Sequence, residues 1–198
     1  RSLREYGILI PSAPSKVDRI LENLRSRPCF RDSSNWGSQG TTHEETEVRS
    51  LGNIPDAAEG PETPWLFEWD CVEITEEDLR RVHSGAYVDK LFSAGLEEVL
   101  IDAFELRAPD GSYNRYDPAQ AKRPLSEILN RTLKNVAGTY HCCRLALEKG
   151  FCFFLGGGAH HGHYDFGHGF CPINDAVIAV RRLQAEGSVK RVWIIDVD

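Results

Sequence analysis

The chain has 198 residues, 41% apolar and 27% charged, with a net charge of -7 and a pI near 5.5. This is enough apolar material for one compact core (residues 1–198 as a single domain), and it excludes disorder of the whole chain. The acidic balance argues against a phosphate-neutralising surface, so no direct nucleic-acid partner is expected; cationic ligands suit it better. Six cysteines, at 29, 71, 142, 143, 152 and 171, show no C-x-x-C spacing. That pattern fits buried thiols in a reducing compartment rather than a disulfide framework. The opening R-S-L-R-E-Y-G-I-L-I-P-S lacks the apolar stretch of a signal peptide, and no later window approaches a membrane span. A cytoplasmic protein without membrane contact is expected. The chain contains no methionine, which points to a processed or truncated product.

In chain order, Gly7 to Ile10 reads as strand-like. Residues 16–27 place Val17, Ile20, Leu21 and Leu24 on one helical face before Pro28. From Arg31 to Pro64 the composition is that of a long loop. Thr75-Glu76-Glu77-Asp78 has capping-box spacing, and two short helices are expected, one after it and one from Ala86 to Phe92. Ala108 to Gly111 is turn chemistry. Leu125, Leu129, Leu133, Val136, Tyr140, Cys143 and Leu147 recur at steps of three and four, which predicts a helix closed by Gly150. Phe151 to Leu155 and Arg191 to Val197 are apolar runs that suit strands buried on both faces. Between them the spacing predicts a helix with Pro172 in its first turn, with Ile173, Ala176, Val177, Val180 and Leu183 inward, and with Gly187 as its stop. Helix, strand, loop, helix, strand is the order of a parallel α/β fold, flanked by helices, and both strand ends should open on one edge.

Two segments follow those strands: G-G-G-A-H-H-G-H-Y-D-F-G-H-G-F-C-P-I-N-D at 156–175 and I-I-D-V-D at 194–198. Four of the seven histidines lie between 160 and 168. Such crowding beside carboxylates indicates a metal or proton-transfer site.

The tandem Gly-Gly-x-His-His, the string Gly-Phe-Cys-x-x-Asn-Asp and a strand ending Asp-x-Asp resemble the signature of the histone deacetylase and acetylpolyamine amidohydrolase superfamily. Val82-His83-Ser84-Gly85-Ala86-Tyr87-Val88 is similar to that family's V-H-x-x-x-Y-V/I element. Close matching covers the last quarter of the chain. The resemblance implies an arginase/deacetylase-like α/β fold, incomplete at the carboxyl end, and a zinc-dependent hydrolase acting on acetylated lysine peptides, proteins or acetylpolyamines. It assigns His161 as general base and then acid, His160 as its electrostatic partner or a proton store, and Asp196 as the carboxylate that fixes His160. Asp198 matches a zinc ligand. Asp196 and Asp198 match contributors to a structural K+ site, and Gly169 and Phe170 match the acyl-lysine tunnel. The family pattern continues with a histidine ligand, a second aspartate and a tyrosine that these 198 residues lack. Catalytic zinc ordinarily has three protein ligands, so the 198-residue polypeptide is expected to be inactive.

Plainer roles suit several neighbours. His163 and His168 read as loop histidines, His83 as a capping or packed side chain, and Asp165 as an Asx-turn residue. Asn174 and Asp175 read as helix caps with a part in shaping the loop, and Cys171 as a buried thiol. Two other readings of function stand beside the hydrolase: a non-catalytic deacetylase-like interaction module, and a related ureohydrolase-type metalloenzyme.

Overall fold

The computed structural model describes residues 3–10, 19–20, 22–23 and 72–198. The chain divides into two compact units, one made of residues 1–12 and 71–198 and the other of residues 13–70. In the second unit the described residues Arg19, Ile20, Glu22 and Asn23 are helical, within the segment where the sequence pattern places a helix. The loop expected over 31–64 lies outside the described residues.

Among its described residues the first unit carries five α-helices: α1 (Glu76–Arg80), α2 (Gly85–Leu91), α3 (Leu96–Ala103), α4 (Glu127–Lys149) and α5 (Asp175–Ala185). The expected capping box opens α1. Thr75 accepts the amide of Asp78 on its side chain, while its own amide donates to the Asp78 carboxylate at 3.0 Å. Ser84 caps α2 through the amide of Tyr87. Helix α3 falls where the sequence reading placed no element. Its turns bury Val99, Leu100, Ile101 and Ala103, so packing rather than a cap signal accounts for it. Helix α4 ends at Gly150, in the left-handed conformation that glycine adopts without steric cost.

Helix α5 begins three residues later than expected. Asn174 is its N-cap, and Pro172 lies outside it, its carbonyl accepting the Tyr87 hydroxyl at 2.6 Å. The buried side of α5 carries Ile178, Ala179 and Leu183 rather than Ala176, Val177 and Val180, which are only half-buried. Ile178 joins Leu79, Val88, Leu91, Leu129 and Val136 in the main apolar cluster. Ala179 and Leu183 pack on Tyr140 of α4. A neighbouring cluster gathers Tyr6, Ile8, Leu100, Leu106 and Ile128. Arg182 ties α5 to α1, donating to the Glu73 carbonyl at 2.7 Å and to the buried Asp78 at 3.1 Å.

The sheet expected from the sequence is not formed among the described residues. Residues 151–155 and 191–197 carry no strand pairing, and only isolated bridges occur, Ile8 with Tyr116, Arg107 with Tyr113 and His168 with Cys171. The strand-like reading of Gly7 to Ile10 reduces to the first of these bridges. Trp193 is 92% exposed and Ile195 83%, so the expectation of burial on both faces fails for this run. The reason is physical: an apolar run becomes a strand only when edge partners take up its backbone groups and layers cover its faces. Neither condition is met for these two segments among the described residues.

Candidate active site

The loop between residues 155 and 175 is held from below by one carboxylate. Asp175, 1% exposed, opens α5. It accepts the amide of Gly158 at 3.1 Å, the amide of Ala159 at 2.6 Å, and the hydroxyl of Thr139 from α4. Three donors and the positive end of α5 together offset the cost of burying the charge. Asn174 extends the grip: its side-chain amide donates to the carbonyls of Gly162 at 3.3 Å and His160 at 3.5 Å, while its carbonyl oxygen caps α5 through the amide of Val177. Capping explains part of what these residues do. The larger part, bracing the turn that carries the tandem histidines, was legible only as loop shaping.

A second set of contacts closes the loop from the side. His83, buried at 2% exposure, lies with Nδ1 2.7 Å from the carbonyl of His163, and its Nε2 accepts the amide of Asn174 at 3.3 Å. The amide of Ser84 donates to the carbonyl of Tyr164 at 2.8 Å. Burial pulls the His83 pKa down and raises that of Tyr87. The Val82-to-Val88 element is therefore the loop's lateral wall.

On this support the tandem rings lie together, with centroids 4.1 Å apart. His160 places Nδ1 2.5 Å from Oδ2 of Asp196 and Nε2 3.4 Å from Oδ2 of Asp198. The hydrogen bond to Asp196 raises the His160 pKa, and the same bond, joined by the Asp198 amide, lowers that of Asp196. Donor atoms of His160, His161 and Asp198 all lie within 4.8 Å of one another, the one such group among the described residues. Both oxygens of Asp196 are engaged within the chain, one by His160 and one by the amide of Asp198 at 3.1 Å. Asp198 keeps its carboxylate exposed.

Gly169 touches the imidazole of His161 so closely that an added Cβ would stand 2.6 Å from Cδ2. Phe170 adopts a left-handed φ of 66°, donates its amide to the Ala103 carbonyl at 2.8 Å, and sets its ring edge-on to Phe104 at 6.0 Å. A non-glycine residue in that region of backbone space costs energy and is held by its surroundings. His168, read from sequence as a plain loop histidine, stands edge-on to His161 at 6.0 Å and lies 3.3 Å from Glu105, itself at a φ of 56°. Glu105 has no motif to reveal it in the sequence. His163 stacks on Phe166 at 4.2 Å. Cys171 is buried as expected, with its thiol raised in pKa by burial and directed at the Gly169 carbonyl. His160, His161, Asp196 and Asp198 thus lie together at the surface, with Gly169 against His161 and Phe170 on the adjoining turn.

Two imidazoles beside two carboxylates form a histidine–carboxylate centre of the kind that moves protons or holds a divalent ion. The model for the histone deacetylase domain matches residues 11–198, and the chain belongs to the histone deacetylase family. An uncharacterized protein of Picosynechococcus sp. is 42% identical over 71 residues, which is 36% of this chain and 24% of that relative. Histone deacetylase 2 of Arabidopsis thaliana is 29% identical over 127 residues, 64% of this chain and 30% of the relative. The matched segments therefore span less than a third of the length of these curated relatives. Among the described residues no helix is long and apolar enough to cross a membrane.

Proposed function

We propose that the complete protein is a zinc-dependent amidohydrolase of the cytoplasm that removes acetyl, or a related acyl group, from lysine side chains or polyamines. The observation that carries this reading is the joining of His160 to Asp196 at 2.5 Å with His161 and Asp198 beside them. In the same reading the chain is one domain with a deacetylase-like α/β fold, in which 151–155 and 191–197 become neighbouring strands.

Imidazole nitrogen and carboxylate oxygen are donors that suit zinc, and Asp198 is the residue assigned to hold it, with Asp196 and Asp198 also lending atoms to a structural K+. When bound, zinc supplies a Lewis acid that polarises the acyl oxygen and acidifies a water. His161 takes the proton of the attacking water and returns it to the leaving amine. His160, steered by Asp196, sets the charge beside His161. The Gly169 carbonyl accepts the substrate amide N–H, and the Phe170 ring packs against the aliphatic stem of the substrate. If both histidines handle protons, the 198 residues supply fewer than the three protein ligands that catalytic zinc ordinarily takes, and this polypeptide alone is expected to be inactive.

The test is turnover of an acetyl-lysine peptide and an acetylated polyamine by the complete protein, with and without chelator. His161→Ala is expected to slow turnover by roughly a hundredfold or more. A near-normal rate in that variant, or indifference to chelator, overturns the assignment.

A further inference from the structure

We propose that His83 is a positioning residue, a neutral imidazole whose two ring nitrogens clamp the tandem-histidine loop to the cap of α5 without meeting substrate. The inference rests on the deacetylase reading for its kinetic consequence but not for its geometry. His83 is 80 residues distant in sequence from His163 and 91 from Asn174, yet one ring reaches both. Because a backbone N–H has only its hydrogen to offer, Nε2 must accept from Asn174, and the ring hydrogen must sit on Nδ1, where the His163 carbonyl receives it. One tautomer satisfies both contacts; the other places two N–H groups face to face and leaves the His163 carbonyl without its donor.

What the clamp holds determines its role. His163 lies two residues beyond His161, and Asn174 donates to the carbonyls of His160 and Gly162. A displaced Asn174 therefore loosens the backbone on both sides of His161. Two neighbours keep the ring in register: Ser84 fixes the Tyr164 carbonyl, and Tyr87, whose ring centroid stands 5.6 Å from that of His83, fixes the Pro172 carbonyl. With the ring 2% exposed, water does not replace either contact. Groups that hold a proton-transferring residue from behind act on reaction geometry more than on substrate binding, so the signature is a fall in kcat with little change in KM.

Three substitutions separate the halves of the clamp. His83→Gln superposes its carbonyl oxygen on Nε2 and keeps an acceptor for Asn174. His83→Asn superposes its amide nitrogen on Nδ1 and keeps the donor to His163. His83→Ala keeps neither. In the complete protein, assayed on an acetyl-lysine peptide, His83→Ala is expected to lose about tenfold in kcat at nearly constant KM, with His83→Gln recovering more than His83→Asn. Nitrogen-15 NMR of the imidazole should show the Nδ1–H tautomer for His83, and the Asn174 amide should lose hydrogen-exchange protection in His83→Ala and His83→Asn but not in His83→Gln. An Nε2–H tautomer, unchanged Asn174 protection in His83→Ala, or a kcat equal to that of the unsubstituted protein overturns the proposal. If the unsubstituted protein leaves acetyl-lysine intact, the deacetylase reading fails, while the tautomer and exchange measurements still decide the clamp.

Discussion

Nδ1 of His160 meets Oδ2 of Asp196 at 2.5 Å, and this contact turns the other ring nitrogen toward Asp198 at 3.4 Å. Asp196→Asn keeps the shape of the side chain but removes the negative charge that orients the ring. Turnover of an acetyl-lysine peptide by the complete protein is expected to fall roughly ten- to a hundredfold, the usual scale for a carboxylate that orients a site histidine. Fold and KM should change little, because Asp196 is exposed and its hydrogen-bond partners are the His160 ring and the Asp198 amide. A kcat equal to that of the unsubstituted protein would remove Asp196 from this role.

Asp175 makes a different prediction, one read as stability. Its carboxylate satisfies the amides of Gly158 and Ala159 and the hydroxyl of Thr139 from inside the fold. Asp175→Ala removes the buried acceptor shared by three donors, on the half-buried Thr139 and Ala159 and the exposed Gly158, and the expected loss is about 3 kcal/mol in urea unfolding. Thr139→Val removes one neutral donor and should cost about 1 kcal/mol. Equal costs for the two variants would show that the carboxylate does not carry the loop.

Gly169 is constrained by the ring it touches. Its φ is +52°, and a Cβ would stand 2.6 Å from Cδ2 of His161. Gly169→Ala is expected to cost only about 1–2 kcal/mol of stability, from left-handed backbone strain and local crowding. Turnover should fall far more than stability, because the atom that must move is the imidazole assigned to proton transfer. Thermal unfolding and kcat, measured on the same sample, separate the two effects.

The parts legible in the sequence were those with local causes. Thr75 and Asp78 announce their capping box by spacing, Gly150 announces the end of α4, and the tandem histidines and Asp-x-Asp pair announce themselves by type. The parts not legible depend on partners far away in sequence. Phe151 to Leu155 and Arg191 to Val197 have strand composition, but composition does not provide neighbours, and Trp193 and Ile195 stay exposed. Helix α5 was displaced because Pro172 is used as an acceptor for Tyr87 instead of as a helix start. Glu105 and His168 meet only through the left-handed turns at Glu105 and Phe170, which no pattern of residue types announces.

The last prediction concerns pH. Burial holds the folded pKa of His83 below its ordinary value of 6.5. About a pH unit or more above that value the ring is neutral in both folded and unfolded chains, so there this group makes no contribution to the pH dependence. As pH falls through 6.5 toward the lowered folded value, the unfolded chain binds a proton that the folded chain refuses. Stability then falls, with a slope from this group of at most about 1.4 kcal/mol per pH unit. The groups facing the ring do not blur the window: the pKa of Tyr87 is raised by burial, and His163 and Tyr164 present backbone carbonyls. Urea unfolding of the unsubstituted chain and of His83→Gln, followed from pH 8 downward, should give curves whose separation begins to change near about pH 7.5 and changes most steeply below about 6.5, with the unsubstituted chain losing stability faster. Parallel curves through that interval would mean that His83 accepts a proton as readily folded as unfolded, which is incompatible with an Nε2 that receives the Asn174 amide.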